Sequence, residues 1–495
     1  MADEALLFPW FIGERVKDLL DDTSRRMLKS VMTRRTNDIV YEDALVAAKN
    51  GHLDILKWIV VDTKSTCLWD PAICANAALN GHLHVIKWAI FNGCKMNSLA
   101  FSNAALNGHL DVLQFASNMG YLKSFLDSPT LGNAALNGHL HVLKWAVADG
   151  RFWYTSSTSA SAALNGHLHV IQWACDNGCI LDQRTSDNAA LNGHLHVLKW
   201  VREWYREFWS MEFMFTSVAN AATNGHIHVL QWAKDNDIMS SYVLDGEENV
   251  FQGAARHGQL DVLKWAHYNN LLFDPFRFLC ANAAMNGHIH VVKWARENGF
   301  EWNATPCEKA AKSGNLDVLK FVRGCGCRLT KWVCANAASS GNLDMLKWAR
   351  VAGCDWDRNT IDEAAREGHM EVVKWAVENG CPSDSLDGTF AAYDGHLGVL
   401  KLLFNRFAQF QDNPSWLETV CTKAARGGHI SIIEWAIDNG AQWNEHICQV
   451  AAIEGRINVL DWAYRNKFPI EPNAVSFLSN NMNMTVWLKN YFASV

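Results

Sequence analysis

The chain has 495 residues, of which 49% are hydrophobic and 19% charged, and its formal net charge is -7. This composition supplies enough apolar surface for a folded core and is unlike that of a disordered chain. The negative net charge and the lack of a basic tract argue against nucleic acid as a partner, because phosphate binding needs clustered cationic surface. No stretch approaches the roughly 20 apolar residues of a membrane-spanning helix, so we expect no membrane insertion.

Residues 1–40 have a helical apolar pattern that includes Ile12, Val16 and Leu19. They begin with acidic residues and lack the cationic region and apolar run of a secretory signal, so we expect an intracellular, cytoplasmic protein. The segment resembles an F-box, a segment that docks onto ubiquitin-ligase adaptors. Two interpretations stay open: a helical capping segment, or an F-box-like segment that recruits such an adaptor.

From residue 41 onward the sequence repeats itself. The segment NAALNGHLHVIKWA at 76–89 returns almost unchanged at 133–146 and 188–201. Each copy places an Ala-Ala pair shortly before a glycine, and the shortest copies are 27 residues long. The glycines that mark the copies are Gly51, Gly81, Gly108, Gly138, Gly166, Gly193, Gly225, Gly258, Gly287, Gly314, Gly341, Gly368, Gly395, Gly428 and Gly455. A further, degenerate copy at about 470–495 is typical of a terminal cap.

Each copy predicts two helices. The alanine-rich residues before the glycine predict a short inner helix, because alanines allow helices to approach closely. The residues after the glycine predict an outer helix that is covered on several sides, because apolar residues occupy more than half of its circumference. A second glycine, such as Gly93, is expected to end the outer helix in the left-handed conformation. The predicted fold class is therefore all-α, a solenoid of about 16 helix-turn-helix repeats.

The string A-A-x-x-G-H-L-x-V-L-K, followed by Asn-Gly, resembles the ankyrin repeat over residues 41–495. Its Lys-Trp-Ala and Asn-Gly-Cys variants resemble repeats abundant in protists and in large DNA viruses of amoebae, which for a viral protein implies the host cytoplasm. The resemblance implies a protein–protein interaction scaffold that is not an enzyme. The usual ankyrin unit has about 33 residues, and its Thr-Pro-Leu-His tetrapeptide is absent here, so β-hairpins between repeats are expected to be shortened or absent.

Histidines and cysteines recur with the repeat instead of clustering once, so we predict no catalytic site, metal or cofactor. The first histidine of a His-Leu-His run, such as His82, is expected to make a structural hydrogen bond to backbone. The second, such as His84, is expected to face water, because residues two apart on a helix point about 160° away from each other. The cysteines are expected to be packing residues. A redox role stays open only for Cys325 and Cys327.

Three segments break the repeat pattern with aromatic residues and are candidates for contact with a partner. The candidate protein-binding residues are Trp204, Tyr205, Phe208, Trp209, Tyr242, Phe407, Phe410 and Trp416. Exposed aromatic residues are typical of interface hot spots. Alternatively, these aromatics fill gaps that the longer loops open.

The inner helices offer a second candidate surface. The residue before the paired alanines is Asn in most early copies, and later copies place Lys309, Glu363, Phe390 and Lys423 there. We therefore expect partner specificity to lie toward the C-terminal half, on the concave inner-helix face. Two hypotheses follow: a scaffold that binds a protein partner, or a substrate receptor of a cullin-type ubiquitin ligase that acts through residues 1–40.

Overall fold

The structure is a computed structural model of the chain. It describes residues 37–63, 70–121, 128–148, 156–204, 211–239, 250–271, 277–300, 303–382, 388–406 and 414–469. The first 36 residues lie outside these ranges, so both interpretations of the N-terminal segment stay predictions. The degenerate copy expected at about 470–495 lies outside them as well. Throughout the described ranges the chain forms helices and turns and no strand, which confirms the all-α prediction.

Two compact units divide the chain after Ser240. In unit 1 the described helices form pairs, and we call the first helix of each pair inner and the second outer. The pairs are α1 (Asn37–Lys49) and α2 (Leu53–Thr63), α3 (Pro71–Leu79) and α4 (Leu83–Phe91), α5 (Ser98–Leu106) and α6 (Leu110–Asn118), α7 (Ser128–Leu136) and α8 (Leu140–Ala148), α9 (Ser156–Leu164) and α10 (Leu168–Asp176), α11 (Gln183–Leu191) and α12 (Leu195–Trp204), and α13 (Met211–Thr223) and α14 (Ile227–Asp235). Within unit 1, consecutive inner helices pack against each other.

Unit 2, which begins at Ser241, has the same arrangement. Its pairs are α15 (Val250–Arg256) and α16 (Leu260–Tyr268), α17 (Arg277–Met285) and α18 (Ile289–Glu297), α19 (Thr305–Lys312) and α20 (Leu316–Gly324), α21 (Lys331–Ser339) and α22 (Leu343–Val351), α23 (Asn359–Arg366) and α24 (Met370–Glu378), α25 (Phe390–Asp394) and α26 (Leu397–Arg406), α27 (Pro414–Gly427) and α28 (Ile430–Asp438), and α29 (Glu445–Ile453) and α30 (Ile457–Arg465). Consecutive inner helices again pack together. Every glycine-marked copy has thus become one helix pair.

The turn between the two helices of a pair follows from its glycine. Gly81 has a φ of 72°, a left-handed conformation that favours glycine. It allows the His82 amide to donate to the Ala77 carbonyl at 2.9 Å and the Gly81 amide to donate to the Ala78 carbonyl at 3.3 Å. These two bonds satisfy carbonyls at the end of the inner helix, as in a Schellman motif. The glycine after the outer helix is also left-handed, as predicted, with a φ of 98° at Gly93.

The core of each repeat is made by the paired alanines and by one side of the outer helix. Ala77 and Ala78 are fully buried, as are Val85, Ile86 and Ala89 of the outer helix. Each buried Val or Ile side chain contributes about 1.5–3 kcal/mol of hydrophobic stabilisation. Because alanine is small, consecutive inner helices lie close together, and the stack forms without β-hairpins in the described residues.

The repeated tryptophan of the outer helix lies at the edge of the core and is seldom fully buried. Most of these side chains, such as Trp375 and Trp462, are half-buried at the edge of the core. The rings of Trp375 and Trp462 each pack against an aromatic residue of the loop that precedes their helix pair. Trp375 and Trp356 lie 5.8 Å apart between ring centroids, as do Trp462 and Trp443.

Candidate functional site

Of the aromatic residues proposed as partner contacts in unit 1, the structure describes Trp204. It is the last residue of α12, 49% of its surface is exposed, and its ring stacks on Trp200 at 5.0 Å. The stacking holds the Trp204 ring in place while leaving half of it accessible, which suits a contact residue. Tyr205, Phe208 and Trp209 lie outside the described residues, and so does Tyr242.

The structure corrects the interpretation of Trp416 in unit 2 as an exposed contact. Trp416 is fully buried in α27. Its ring stacks on Phe404 at 6.0 Å and meets Trp435 edge to face at 6.3 Å. The longer α27 places this ring over the adjacent outer helices, so Trp416 fills space between repeats. Phe407 and Phe410 lie outside the described residues.

The asparagines that precede the paired alanines on the inner helices, which we call the asparagine ladder, mainly form hydrogen bonds between repeats. Asn103 Nδ2 donates to the Ala75 carbonyl of the preceding repeat at 2.9 Å, and Asn188 Nδ2 donates to the Ala160 carbonyl at 2.8 Å. In unit 2, Asn336 Nδ2 donates in the same way to the Glu308 carbonyl. These asparagines are half-buried, and each bond contributes about 1 kcal/mol net. The sequence did not show this structural use of the ladder.

The residue directly after the turn glycine, which we call the first slot, makes the predicted backbone hydrogen bond. His139 Nε2 lies 3.0 Å from the Leu106 carbonyl of the preceding repeat, and His194 Nε2 lies 3.1 Å from the Leu164 carbonyl. Because a carbonyl only accepts, Nε2 carries the proton. The first-slot ring also lies against the preceding turn glycine, where a Cβ on Gly138 would come within 2.7 Å of His167.

The second histidine, two positions later in what we call the second slot, is exposed as predicted but is also hydrogen-bonded. His84 Nε2 lies 3.0 Å from the Gly51 carbonyl of the preceding turn. The expectation that the two rings point apart is wrong, since the His82 and His84 centroids lie 5.9 Å apart. His82 caps the outer helix with a φ of -78° and a ψ of 68°, so helical geometry does not relate the pair. Similar bonds are made by His141, His169, His196, His228 and His290.

Burial shifts the titration of several first-slot histidines. Desolvation lowers the pKa of His82, His139, His167 and His194 below the ordinary value for histidine. The second-slot neighbour lowers it further, because two nearby imidazolium charges repel each other. These rings therefore favour the neutral form with Nε2 protonated.

The cysteines are packing residues, as predicted. Cys74 and Cys94 are buried with their sulfurs 3.5 Å apart. Cys327 is equally buried, and its thiol donates to the Asn303 carbonyl at 3.3 Å. The Cys325-Gly326-Cys327 run is thus the usual loop of the repeat, with one additional cysteine at the helix end. No group of three or more metal-binding side chains occurs in the described part of the chain.

A different surface appears on the inner helices of unit 2, where exposed aromatic and charged residues replace asparagine. Phe390 is 40% exposed and Tyr393 37% exposed. Lys423 Nζ lies 4.3 Å from the centroid of the Phe390 ring, and Arg366 Cζ lies 4.8 Å from it. We call this surface the charged aromatic face, and its residues are Glu363, Arg366, Phe390, Tyr393, Lys423 and Arg426.

The charges of this face are only partly balanced. Arg366 pairs with Glu363 on its own helix at 3.3 Å, and Arg426 pairs with Glu454 of the next repeat at 3.4 Å. Desolvation lowers the pKa of Lys423, and the positive charges of Arg426 and Arg366 lower it further. The face can therefore offer positive charge next to exposed aromatic surface.

Comparison with known proteins agrees with the repeat architecture. A family model described as ankyrin repeats in many copies matches residues 280–323 and 389–437. No curated protein matches the chain. Among solved structures, the pentatricopeptide repeat protein PPR10 from maize is similar at a TM-score of 0.27 and 10% identity, over 92% of this chain and 79% of that one. PPR10 in complex with an 18-nt psaJ RNA element is similar at a TM-score of 0.33 and 10% identity, over 100% and 88%.

The expectation that nucleic acid is excluded as a partner needs correction. The similar structures include a repeat protein solved with RNA, although a likeness this distant assigns no ligand to this chain. Net charge is a poor guide to a nucleic-acid partner because it is a sum over the whole chain and does not describe the charge of one face. Arg366, Lys423 and Arg426 concentrate positive charge locally despite the net charge of -7. Among the helices described, none is long and apolar enough to cross a membrane.

Proposed function

This chain is an ankyrin-repeat protein, and from that premise we propose that it is an interaction scaffold that performs no chemistry and holds a protein partner. The partner binds the charged aromatic face of unit 2. A scaffold needs a rigid surface whose side chains are free to contact another molecule. The inner helices of unit 2 provide one.

One observation carries this proposal. The residue before the paired alanines donates to the preceding repeat where it is Asn, as at Asn103 and Asn188. At the same position Phe390 is 40% exposed and Lys423 is only half-buried. Exposing an aromatic ring costs hydrophobic free energy, and binding a partner would recover it. Aromatic and arginine side chains are also the residues in which binding energy is usually concentrated.

The proposal is tested by photo-crosslinking in the full chain, within one repeat. A photoreactive amino acid replaces Tyr393 on inner helix α25 or, as a matched control, Lys401 on outer helix α26. Both positions are solvent-accessible. We expect discrete protein adducts from position 393, in cell extract, and none from position 401.

Each crosslinked sample is then divided and treated with protease or with nuclease. Adducts that protease removes and nuclease leaves intact support a protein partner. Equal adducts from both positions would show that the inner face has no special role, and adducts that only nuclease removes would replace the proposed partner by nucleic acid.

A further inference from the structure

We infer that Arg366, Lys423 and Arg426 form a binding site for the carboxylates of an acidic peptide segment, with Phe390 at its centre. The inference rests on the proposed function, because it names the chemistry that the charged aromatic face recognises. It concerns three consecutive inner helices, α23, α25 and α27, which supply Arg366, Phe390 and the pair of Lys423 and Arg426.

The geometry brings two cations onto one aromatic ring. Arg366 Cζ and Lys423 Nζ lie 4.8 Å and 4.3 Å from the centroid of Phe390. The ring attracts each cation, although at an exposed site each contact contributes only about 0.5–1 kcal/mol. Phe390 therefore holds side chains from neighbouring repeats close together even though they repel each other. The cations stay accessible, since the Arg366 side chain is 40% exposed and Lys423 is half-buried.

The ion pairs within the described ranges balance the two arginines of this site and leave Lys423 unbalanced. Glu363 pairs with Arg366 and Glu454 pairs with Arg426. Within the described ranges, no carboxylate forms an ion pair with Lys423, and its two strongest charged neighbours are both arginines. An incoming carboxylate would offset this repulsion. It would also gain charge-assisted hydrogen bonds, which are stronger than neutral ones.

An acidic peptide suits the face better than a nucleic-acid backbone. Glu363 and Glu454 stay beside the cations, and they would repel a continuous row of phosphates. Carboxylates on a peptide are spaced by its sequence, so they can meet the cations and avoid the two acids. Base stacking on Phe390 would compete with Lys423 and Arg366, which already contact its ring. The exposed Tyr393 adds apolar surface for the rest of a peptide.

The test measures binding of a fluorescein-labelled hexaglutamate peptide to the full chain by fluorescence anisotropy. A hexaglutamine peptide is the neutral control. The variant Lys423→Gln should weaken hexaglutamate binding about tenfold, which corresponds to the loss of one accessible charge pair. The combined variant with Arg366→Gln should weaken binding further, and Lys423→Arg should weaken it less than Lys423→Gln does because it keeps the charge.

Lys309→Gln is the matched control, because Lys309 also precedes a pair of alanines on an inner helix of unit 2. It should change affinity less than about twofold. Circular dichroism and thermal unfolding verify that each variant is folded. Absence of hexaglutamate binding, or equal losses in Lys309→Gln and Lys423→Gln, would overturn the inference. Tighter binding of single-stranded oligouridylate that Lys423→Gln weakens would also overturn it, in favour of RNA.

The two proposals fail in different ways. If position 393 crosslinks a protein while hexaglutamate does not bind, the carboxylate site is wrong and the scaffold function stands. If hexaglutamate binds and no protein adduct forms at position 393, the site exists but the proposed function is wrong.

Discussion

Units 1 and 2 satisfy equivalent backbone carbonyls at their repeat junctions, unit 1 mostly with histidine and unit 2 with histidine, asparagine or arginine. In unit 1 the donors are mostly histidine pairs, as in His194 and His196. At the end of unit 2, Arg456 Nε donates to the Arg426 carbonyl at 2.9 Å and Asn458 Nδ2 donates to the Gly428 carbonyl at 2.8 Å. The junction therefore requires a donor of suitable reach and does not require histidine.

The inner helices show the same contrast. In unit 1 the position before the paired alanines is occupied mainly by asparagine that bonds the preceding repeat. In unit 2 asparagine remains in some repeats, as at Asn336, whereas Glu363, Phe390 and Lys423 occupy the position in three consecutive repeats and remain partly exposed. Stacking thus leaves this position variable once other contacts hold the repeats, and the variable side chains become available for binding. Unit 1 is therefore the more regular unit, and unit 2 presents a distinctive surface.

The largest effect on stability is expected from the aromatic residues that interrupt the repeat pattern, because Trp204 of unit 1 is half exposed and Trp416 of unit 2 is buried. Trp416→Ala should destabilise the surrounding repeats by about 3–5 kcal/mol, because it removes a fully buried ring. Trp204→Ala should cost less than about 1 kcal/mol, since Trp204 is half exposed. Hydrogen exchange of α27, α28 and α12 measures both effects. Equal losses in the two variants would refute the different roles assigned to these rings.

The next largest loss of stability is expected from substitution of a turn glycine, and it should differ between Gly138 and Gly314. Gly138→Ala should destabilise its repeat by about 3 kcal/mol, because the left-handed backbone is strained and the new Cβ would lie 2.7 Å from His167 Nδ1. Gly314→Ala should cost only about 1–2 kcal/mol, since its nearest neighbour, Ser340 Cβ, lies at 3.6 Å. Hydrogen exchange of α8 and α20 reports each change. A larger loss in Gly314→Ala would contradict the role given to the first-slot ring.

A smaller effect tests whether any donor serves in the second slot. His196→Ala removes the bond to the Gly166 carbonyl and should cost about 0.5–1 kcal/mol. His196→Asn should recover most of that loss, because Asn458 makes the equivalent bond in unit 2. Exchange protection of α12 is the measurement. If Asn is as costly as Ala, the junction depends on the imidazole ring itself.

The smallest expected effect per repeat is a loss of the stability of unit 1 at low pH. Because the folded pKa of His82, His139, His167 and His194 is lowered, the unfolded chain binds protons more readily than the folded chain. Stability is therefore full above about pH 6.5, the ordinary histidine pKa, and falls as the pH drops through that value toward the folded pKa. Exchange protection, corrected for the intrinsic rate, should fall in unit 1 at pH 5.5.

The control for this pH dependence lies in unit 2. Outer helices α20 and α22 have Asn315 and Asn342 in the first slot, so their protection should change less over the same interval. An equal loss of protection in α20, α22 and unit 1 would show that the first-slot histidines are not its source.

Much of the fold could be predicted from the sequence because the pattern is local and repeated. The glycine positions predicted the turns, and the apolar spacing predicted the outer helices. Helical periodicity does not predict the contact between His82 and His84, because His82 caps the helix instead of lying within it. Helical geometry applies only to residues inside the helix, and the sequence does not mark this boundary.

The candidate site was only partly predictable for a different reason. The variation at Glu363, Phe390 and Lys423 is visible in the sequence and points to the C-terminal half of the chain. The grouping of Arg366 and Lys423 on the Phe390 ring depends on three repeats packed side by side. Likewise, the burial of Trp416 depends on Phe404 and Trp435, which no local pattern places beside it.

The central claim is that unit 2 binds the partner through its charged aromatic face while the inner helices of unit 1 serve stacking. Hydrogen–deuterium exchange of the full chain, alone and with the protein identified by crosslinking at position 393, tests it directly. Binding is expected to increase protection in α23, α25 and α27 and to leave α3 and α5 unchanged. Equal protection of the inner helices in both units, or protection confined to outer helices, would contradict the account.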